Sequence, residues 1–222
     1  MKTALETNKI KSIYDRIAGW YDIQHTLLTA RSDERGRRML VDATVRKGDC
    51  VLDCGAGTGS TALLAARAAG QGGRVTLYDL SAGMLETARK RAKQLSVGAT
   101  LTFETGDMAN LPFPDNSFDV VLSTYSLCPL YDPAKGAREL LRVVRPGGLC
   151  GIAHSAEPES KWVRWLATRI ENAVWHLPWI SMGCRSVHVL PALKESGASL
   201  VWHKTIGVPL WPFEVFVVRK AV

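Results

Sequence analysis

From about residue 50 onward, short apolar runs rich in β-formers alternate with stretches whose apolar positions recur at helical spacing. Residues 50–54 ("CVLDC") predict a buried strand, and "TGSTALLAARAAG" a helix closed by Gly70. A second strand follows at 74–80, then a helix through "SAGMLETARKRAKQL", with Ser81 as its cap and Met84, Leu85 and Ala88 on its inner face. Further strands are predicted at 100–107, at 117–127 after the turn-forming "PFPDN", and at 149–155. Between the last two, "PAKGARELLRVVRPGG" predicts a helix with Leu140, Leu141, Val143 and Val144 inward, ended by Pro146-Gly147-Gly148. "ASLVWHKTIGV" and "FEVFVVRKA" are separated by only a short turn containing Pro and Trp, so they should pair antiparallel. The expected fold is α/β: a doubly wound, mostly parallel, seven-stranded sheet with an antiparallel C-terminal strand pair.

Two pieces lie outside that core. Residues 1–45 read as a helical cap carrying Tyr14, Trp20 and Tyr21, and residues 156–190 as an insertion holding Trp162, Trp165, Trp175 and Trp179. Within the insertion Trp162, Leu166, Ile170, Ala173 and Leu177 share a helical face, with Lys161, Arg164 and Arg169 nearby. That pattern suits a lid over an apolar site, an amphipathic helix at a membrane interface, or plain core packing. At 222 residues the chain is most economically one domain, 1–222.

Composition narrows the class. A mean hydropathy of −0.01 fits a globular protein, and no apolar run reaches the roughly 18–20 residues that span a bilayer. The opening residues lack a secretory h-region, so a cytoplasmic location is expected, with peripheral attachment to the inner membrane face as an extension. The net charge is +7, and most of the surplus lies in the segments flanking 51–150. Such flanks suit an anionic membrane surface or an acidic substrate, but no basic run is long enough to call for nucleic acid. Five scattered cysteines without a CxxC pair argue against a disulfide framework or zinc knuckle, and no metal site is expected. Cys184 would need a partner to bind a soft metalloid, and Cys128 is the neighbour the sequence offers.

The chemistry concentrates at "VLDCGAGTG", where Gly55, Gly57 and Gly59 permit a tight turn and the next helix points its N-terminus at a ligand. Ser60 stands where a dinucleotide fingerprint wants its third glycine, and Asp53 sets a carboxylate where a pyrophosphate would approach. A ligand bearing an ammonium group, such as the amino-acid end of S-adenosylmethionine, fits better. Asp79 at the second strand end suits the ribose hydroxyls. Asp107 at the third suits the adenine amino group, with Met84 and Met108 packed on the purine. An NAD-dependent oxidoreductase is the rival class.

"VLDCGAGTG", "LYDLSAGMLETAR", "TGDMANLPFPDNSFDVVLS" and "LLRVVRPGG" resemble consecutive motifs of the class I S-adenosylmethionine-dependent methyltransferases, closest to the ubiquinone/menaquinone-biosynthesis methyltransferase-like group. The resemblance implies a loop of Asp53, Gly55, Gly57 and Gly59 around the methionine moiety. It puts Asp79 with Leu80 at the ribose, Asp107 with Met108 at the adenine, and Ser123 beneath the sulfonium. "YDRIAGWYD" is similar to the family's opening segment, whose tyrosines cover the cofactor, a role falling here to Tyr14 and Tyr21.

A sulfonium is already an activated leaving group, so aligning the acceptor matters more than a strong base. His25, His154 and His188 are the histidine candidates for a base, with Tyr21 a further one; His154, at the end of a strand, is preferred. The expected acceptor is small and hydrophobic or membrane-associated, like a quinone precursor. A phospholipid of the phosphatidylethanolamine type and secondary metabolites methylated on oxygen, nitrogen or sulfur are the alternatives.

Overall fold

The computed structural model describes residues 6–21, 31–175 and 184–222. Helices α1 (Thr7–Ile17) and α2 (Ser32–Thr44) precede β1 (Cys50–Cys54), α3 (Ser60–Ala69), β2 (Arg74–Asp79), α4 (Ala82–Lys93) and β3 (Thr100–Thr105). Then come β4 (Phe118–Thr124), α5 (Pro133–Val143), β5 (Val144–Ser155), α6 (Lys161–Trp175), α7 (Leu190–Glu195), β6 (Ser199–Val208) and β7 (Trp211–Arg219). The sheet order is β3-β2-β1-β4-β5-β7-β6. The first five strands run parallel, and β7 is antiparallel to both of its neighbours. Strand order therefore reverses between β1 and β4, the place where open α/β sheets bind ligands.

Alternation along each strand sends its side chains to two cores. Val51, Leu77, Val120, Leu122 and Val217 face Leu40 of α2 and the small residues Ala62, Ala65, Ala66 and Ala69 of α3. Leu52, Val121, Cys150, Ile152 and Phe216 face Leu140 and Leu141 of α5 and Leu193 of α7. Helix α4 begins as the sequence suggests: Ser81 accepts a hydrogen bond from Met84 N at 3.1 Å. Asp15 of α1 bonds the Ser81 hydroxyl and accepts from Gly83 N, so α1 is fastened to the start of α4. Burial works against the Asp15 carboxylate, but bonds from Ser81, Lys11 and Gly83 outweigh it and hold its pKa down. A third small cluster, Ile17, Ala18, Tyr21 and Met84, completes that junction.

Several boundaries differ from the sequence expectation. β4 stops at Thr124 rather than 127, because Tyr125 turns into the left-handed region at φ 60° and points its ring at Phe213. β5 starts at Val144: Pro146-Gly147-Gly148 do not terminate the helix but form an irregularity inside the strand, where the register to β4 shifts between Phe118 and Val120. Trp211 and Pro212 belong to β7 and not to the preceding turn. Helix α6 exists, yet Trp162 is 65% and Trp165 52% exposed, which excludes plain core packing for that face; Leu177 and Trp179 fall outside the described residues. No helix among the described residues is long and apolar enough to cross a membrane.

Phe216 is fully buried in β7 and is the largest such side chain among the described residues, so truncating it tests the sheet's antiparallel half. Phe216→Ala should lower unfolding free energy by about 3–5 kcal/mol, read as an earlier midpoint in urea with an unchanged slope.

Candidate active site

Beyond the carboxyl ends of β1, β2 and β4 lies a cavity of about 1150 Å³, counting its open mouth. Its walls include Tyr14, Tyr21, Gly55, Gly57, Asp79, Leu80, Met84, Asp107 and Met108, nine residues that the sequence nominated. Gly55 and Gly57 show why this turn needs glycine. Both have positive φ, 75° and 54°; a Cβ on Gly55 would collide with Ser126 and stand 2.9 Å from Met108 Cε, whereas one on Gly57 would meet nothing within 4 Å. At Gly57 bare backbone thus faces open space, as a ligand cradle requires. Gly59 (φ 84°) does not line the cavity; it precedes α3 and packs close to Ala88 and Leu77.

The strand-end acids are held by backbone amides. Asp79 accepts from Gly57 N and Ser81 N, each at 2.8 Å, which ties the glycine loop to the end of β2. Burial raises its pKa, and those amides pull the other way. Asp107 accepts from Ala109 N at 2.8 Å. Arg91 of α4 donates to Thr58 O, Thr58 Oγ1 and Ser60 Oγ, bracing the far side of the loop. The Tyr14 and Tyr21 rings meet at 5.9 Å, and burial drives the Tyr14 hydroxyl's pKa well up.

Besides Gly59, three nominated residues lie behind the wall or away from it. Ser123 is fully buried and bonds Ser126 Oγ at 2.7 Å, so Ser126 is the serine that reaches the cavity. Asp53 is also fully buried and absent from the lining. Neither of its oxygens has a well-formed hydrogen bond among the described residues, although the Ala62 N–H is oriented to favour the charge. Burial pushes its pKa up to about 7, against the attraction of Arg37. His154 is a correction. It sits on the sheet face opposite Asp53, fully buried, with Nδ1 3.0 Å from Ser155 O, Nε2 3.7 Å from Glu214 and its ring edge-on to Phe216. Burial lowers its pKa, and it does not reach the cavity, so its placement withdraws it as the acceptor's base. Strand alternation explains the miss: a residue can end a strand and still point into the layer beneath. His25 lies outside the described residues.

Sequence reasoning overlooked Arg37. Its Nη1 donates to Thr61 Oγ1 at 2.9 Å and Thr124 Oγ1 at 2.7 Å, and its guanidinium lies 5.1 Å from the Tyr125 ring centre. It lines the cavity floor while 7% exposed. Inside "SDERGRRML" it reads as one more surface charge; the available signal was its place one helical turn before the buried Leu40 and Val41. Tyr125, Ser126, Leu130, Tyr131 and Lys135 also line the cavity and were missed, because they follow β4 where the sequence shows no motif.

These residues fit an adenosyl sulfonium with an amino-acid tail. Acids at neighbouring strand ends answer hydroxyl, amine and ammonium donors, Met84 and Met108 offer an apolar slot, and Asp53 is a buried carboxylate short of partners. When bound, that donor supplies an electrophilic methyl group. The folded protein keeps the Asp53 proton to about pH 7, whereas an unfolded chain releases it near the ordinary carboxylate value of about 4. Stability from this group is therefore complete below about pH 4 and lost as pH rises through about 7. Asp53→Asn should match wild type in urea melts at pH 4 and exceed it at pH 8.

A family model described as "Methyltransferase domain" matches residues 52–152. The ubiquinone/menaquinone biosynthesis C-methyltransferase UbiE of Pasteurella multocida is 32% identical over 161 residues, covering 71% of this chain and 60% of the relative. A demethylmenaquinone methyltransferase of Symbiobacterium thermophilum is 33% identical over 156 residues, covering 70% and 62%. The match thus spans about three fifths of these relatives' own length. Among solved structures, the [4+2]-cyclase SpnF superposes with a TM-score of 0.75 at 20% identity, over 100% of this chain and 98% of that one. A methyltransferase-like protein of Bacillus halodurans (BH2331) gives 0.68 at 18%, over 84% and 99%. Those two likenesses bear on the fold; the domain match and the curated relatives bear on the donor chemistry and set aside the NAD-dependent alternative. By these matches and by its strand-end acids and glycine loop, the chain belongs to the class I S-adenosylmethionine-dependent methyltransferases, in the neighbourhood of the quinone-biosynthesis group.

Proposed function

We propose that this protein transfers a methyl group from S-adenosylmethionine to a small hydrophobic acceptor of the quinone-precursor type, drawn from a membrane surface. The observation that carries the reading is the placement of Asp79, Asp107 and the Gly55–Gly57 backbone on one cavity at the point where strand order reverses. Asp79 grips the ribose and Asp107 the adenine edge. Met84, Met108 and Leu80 enclose the base, and the Gly55–Gly57 turn borders the amino-acid end, with the Asp53 carboxylate behind it as a through-space attraction for the ammonium group. Tyr14 and Tyr21 close the cavity from the α1 side and keep water from the methyl group. The Tyr21 hydroxyl is the group proposed to orient the acceptor, now that His154 lies elsewhere.

Names of relatives support the acceptor class: UbiE and demethylmenaquinone methyltransferase act, by those names, in quinone pathways. The lining beyond β4, with Pro129, Leu130 and Tyr131, is apolar enough for an aromatic ring. Helix α6 supports the membrane part. Trp162 and Trp165 stack at 5.5 Å on its exposed side, Arg169 lies over Trp165 at 5.1 Å, and Lys161 and Arg164 flank them. Exposed indoles among cations suit the interface of an anionic bilayer. In this reading residues 156–190 form the membrane-facing part of a single domain, and residues 1–45 its cofactor cap.

Isotope-labelled S-adenosylmethionine, incubated with the full chain and a panel of demethylated quinones and phosphatidylethanolamine, should label a quinone at carbon, identified by product mass. Label in the phospholipid alone would replace the acceptor proposed here. Asp79→Ala should weaken S-adenosylhomocysteine binding by about tenfold to a hundredfold in calorimetry, the worth of one charged hydrogen-bond set. Unchanged affinity would remove the ribose role. Trp162→Ala with Trp165→Ala should abolish co-sedimentation with anionic vesicles while leaving cofactor affinity intact.

A further inference from the structure

Of the five cysteines, Cys50, Cys54 and Cys150 are strand residues of the sheet, but Cys128 and Cys184 are neither in strands nor close in sequence. The fold nonetheless brings them side by side, within hydrogen-bonding reach of one another. Cys128 follows β4, directly before the cavity residues Pro129 and Leu130, and its sulfur is 3.8 Å from Ser155 Oγ. Cys184 approaches from the chain leading to α7, its sulfur 4.0 Å from Tyr14 Oη. The pairing is anchored: Arg185, next to Cys184, donates to Leu130 O at 2.9 Å and Tyr131 O at 3.2 Å, on the loop that carries Cys128. Both thiols are free rather than joined. Cys184 borders a small cleft with Ser155, Glu171 and Arg185, so the pair has an approach separate from the donor cavity.

The shared bond divides the two sulfurs. Hydrogen bonding from Cys184 pulls the Cys128 pKa down against burial, while Cys184 itself is driven up. Of the two, Cys128 gives up its proton the more readily and so is the sulfur that attacks a soft thiophile first. Among the described residues no group of three histidine, cysteine or acidic side chains comes together to hold a metal ion. A tetrahedral zinc ion would therefore lack protein ligands here. A thiophile that needs two sulfurs and brings its own third substituent would not.

We propose that Cys128 and Cys184 form a dithiol site for monosubstituted trivalent arsenicals, at the rim of the donor cavity. Capture is a condensation. Two arsenic–sulfur bonds form, both bonds to the arsenic's oxo oxygen break, and that oxygen leaves as water with the two sulfhydryl protons. Arsenic remains trivalent, and no oxidant or reductant is consumed. The organic substituent would lie in the cleft lined by Ser155, Glu171 and Arg185. Soft sulfur ligands select such an ion over hard cations.

The probe is phenylarsine oxide, added to the reduced full-length chain. One equivalent should mask two of the five cysteines against a thiol reagent applied under denaturing conditions. Proteolysis and mass mapping of the wild-type adduct should find Cys128 and Cys184 bridged by one phenylarsenic group. This readout does not depend on any variant folding. Cys128→Ser and Cys184→Ser should each weaken capture by about a hundredfold or more, the loss of an intramolecular second bond, whereas Cys50→Ser should not. A bridge through any other cysteine pair, or single variants that retain wild-type capture, would overturn the site.

Discussion

Every feature of the site depends on how the chain leaves β1. Between Cys54 and Ser60 it must turn sharply beside two other strand ends and enter α3, with Gly57 leaving the backbone there uncovered by any side chain. Gly55 has no room for a side chain against Ser126 and Met108, and Gly57 has room but turns that room toward the ligand. Asp79 fastens the turn by accepting from Gly57 N. Arg91 fastens it from α4. The same carboxylate that would meet a ribose is thus part of the loop's scaffold, and binding and local folding share one group.

Behind that turn the protein tolerates electrostatic discomfort. Asp53 occupies a position where a carboxylate is poorly solvated, with Arg37 supplying partial compensation across the floor of the cavity. Arg37 is itself spread over Thr61, Thr124 and Tyr125 and so cannot devote itself to Asp53. A buried acid left short of partners is costly, and a positive charge held in the cavity on the other side of the wall would offset part of that cost through space.

Much of this was legible from residue order. The strand–helix alternation, the capped start of α4 and the strand-end acids all follow from short-range patterns, and they fixed the sheet and most of the donor-facing wall. What stayed hidden depends on direction and on distance along the chain. His154 was misjudged because position at a strand end does not reveal the face on which its ring lies. Arg37 was overlooked because burial of a charge inside a polar helix is decided by the sheet packed against it. Tyr125 was extended into a strand because nothing local announces its left-handed turn. The Cys128–Cys184 neighbourhood could be named as a condition but not seen, since it joins the segment before α5 to the one before α7, 56 residues apart.

The position of β7 carries a consequence for how the molecule is made. It is later in the chain than β6 yet lies between β5 and β6. While a ribosome is still synthesising Trp211–Arg219, β5 must wait with an open hydrogen-bonding edge, and β6 has no partner in the sheet. Closure of the sheet is therefore an insertion and not an addition at the rim. During that interval the emerging chain offers its most adhesive backbone, and chaperone demand should be greatest then.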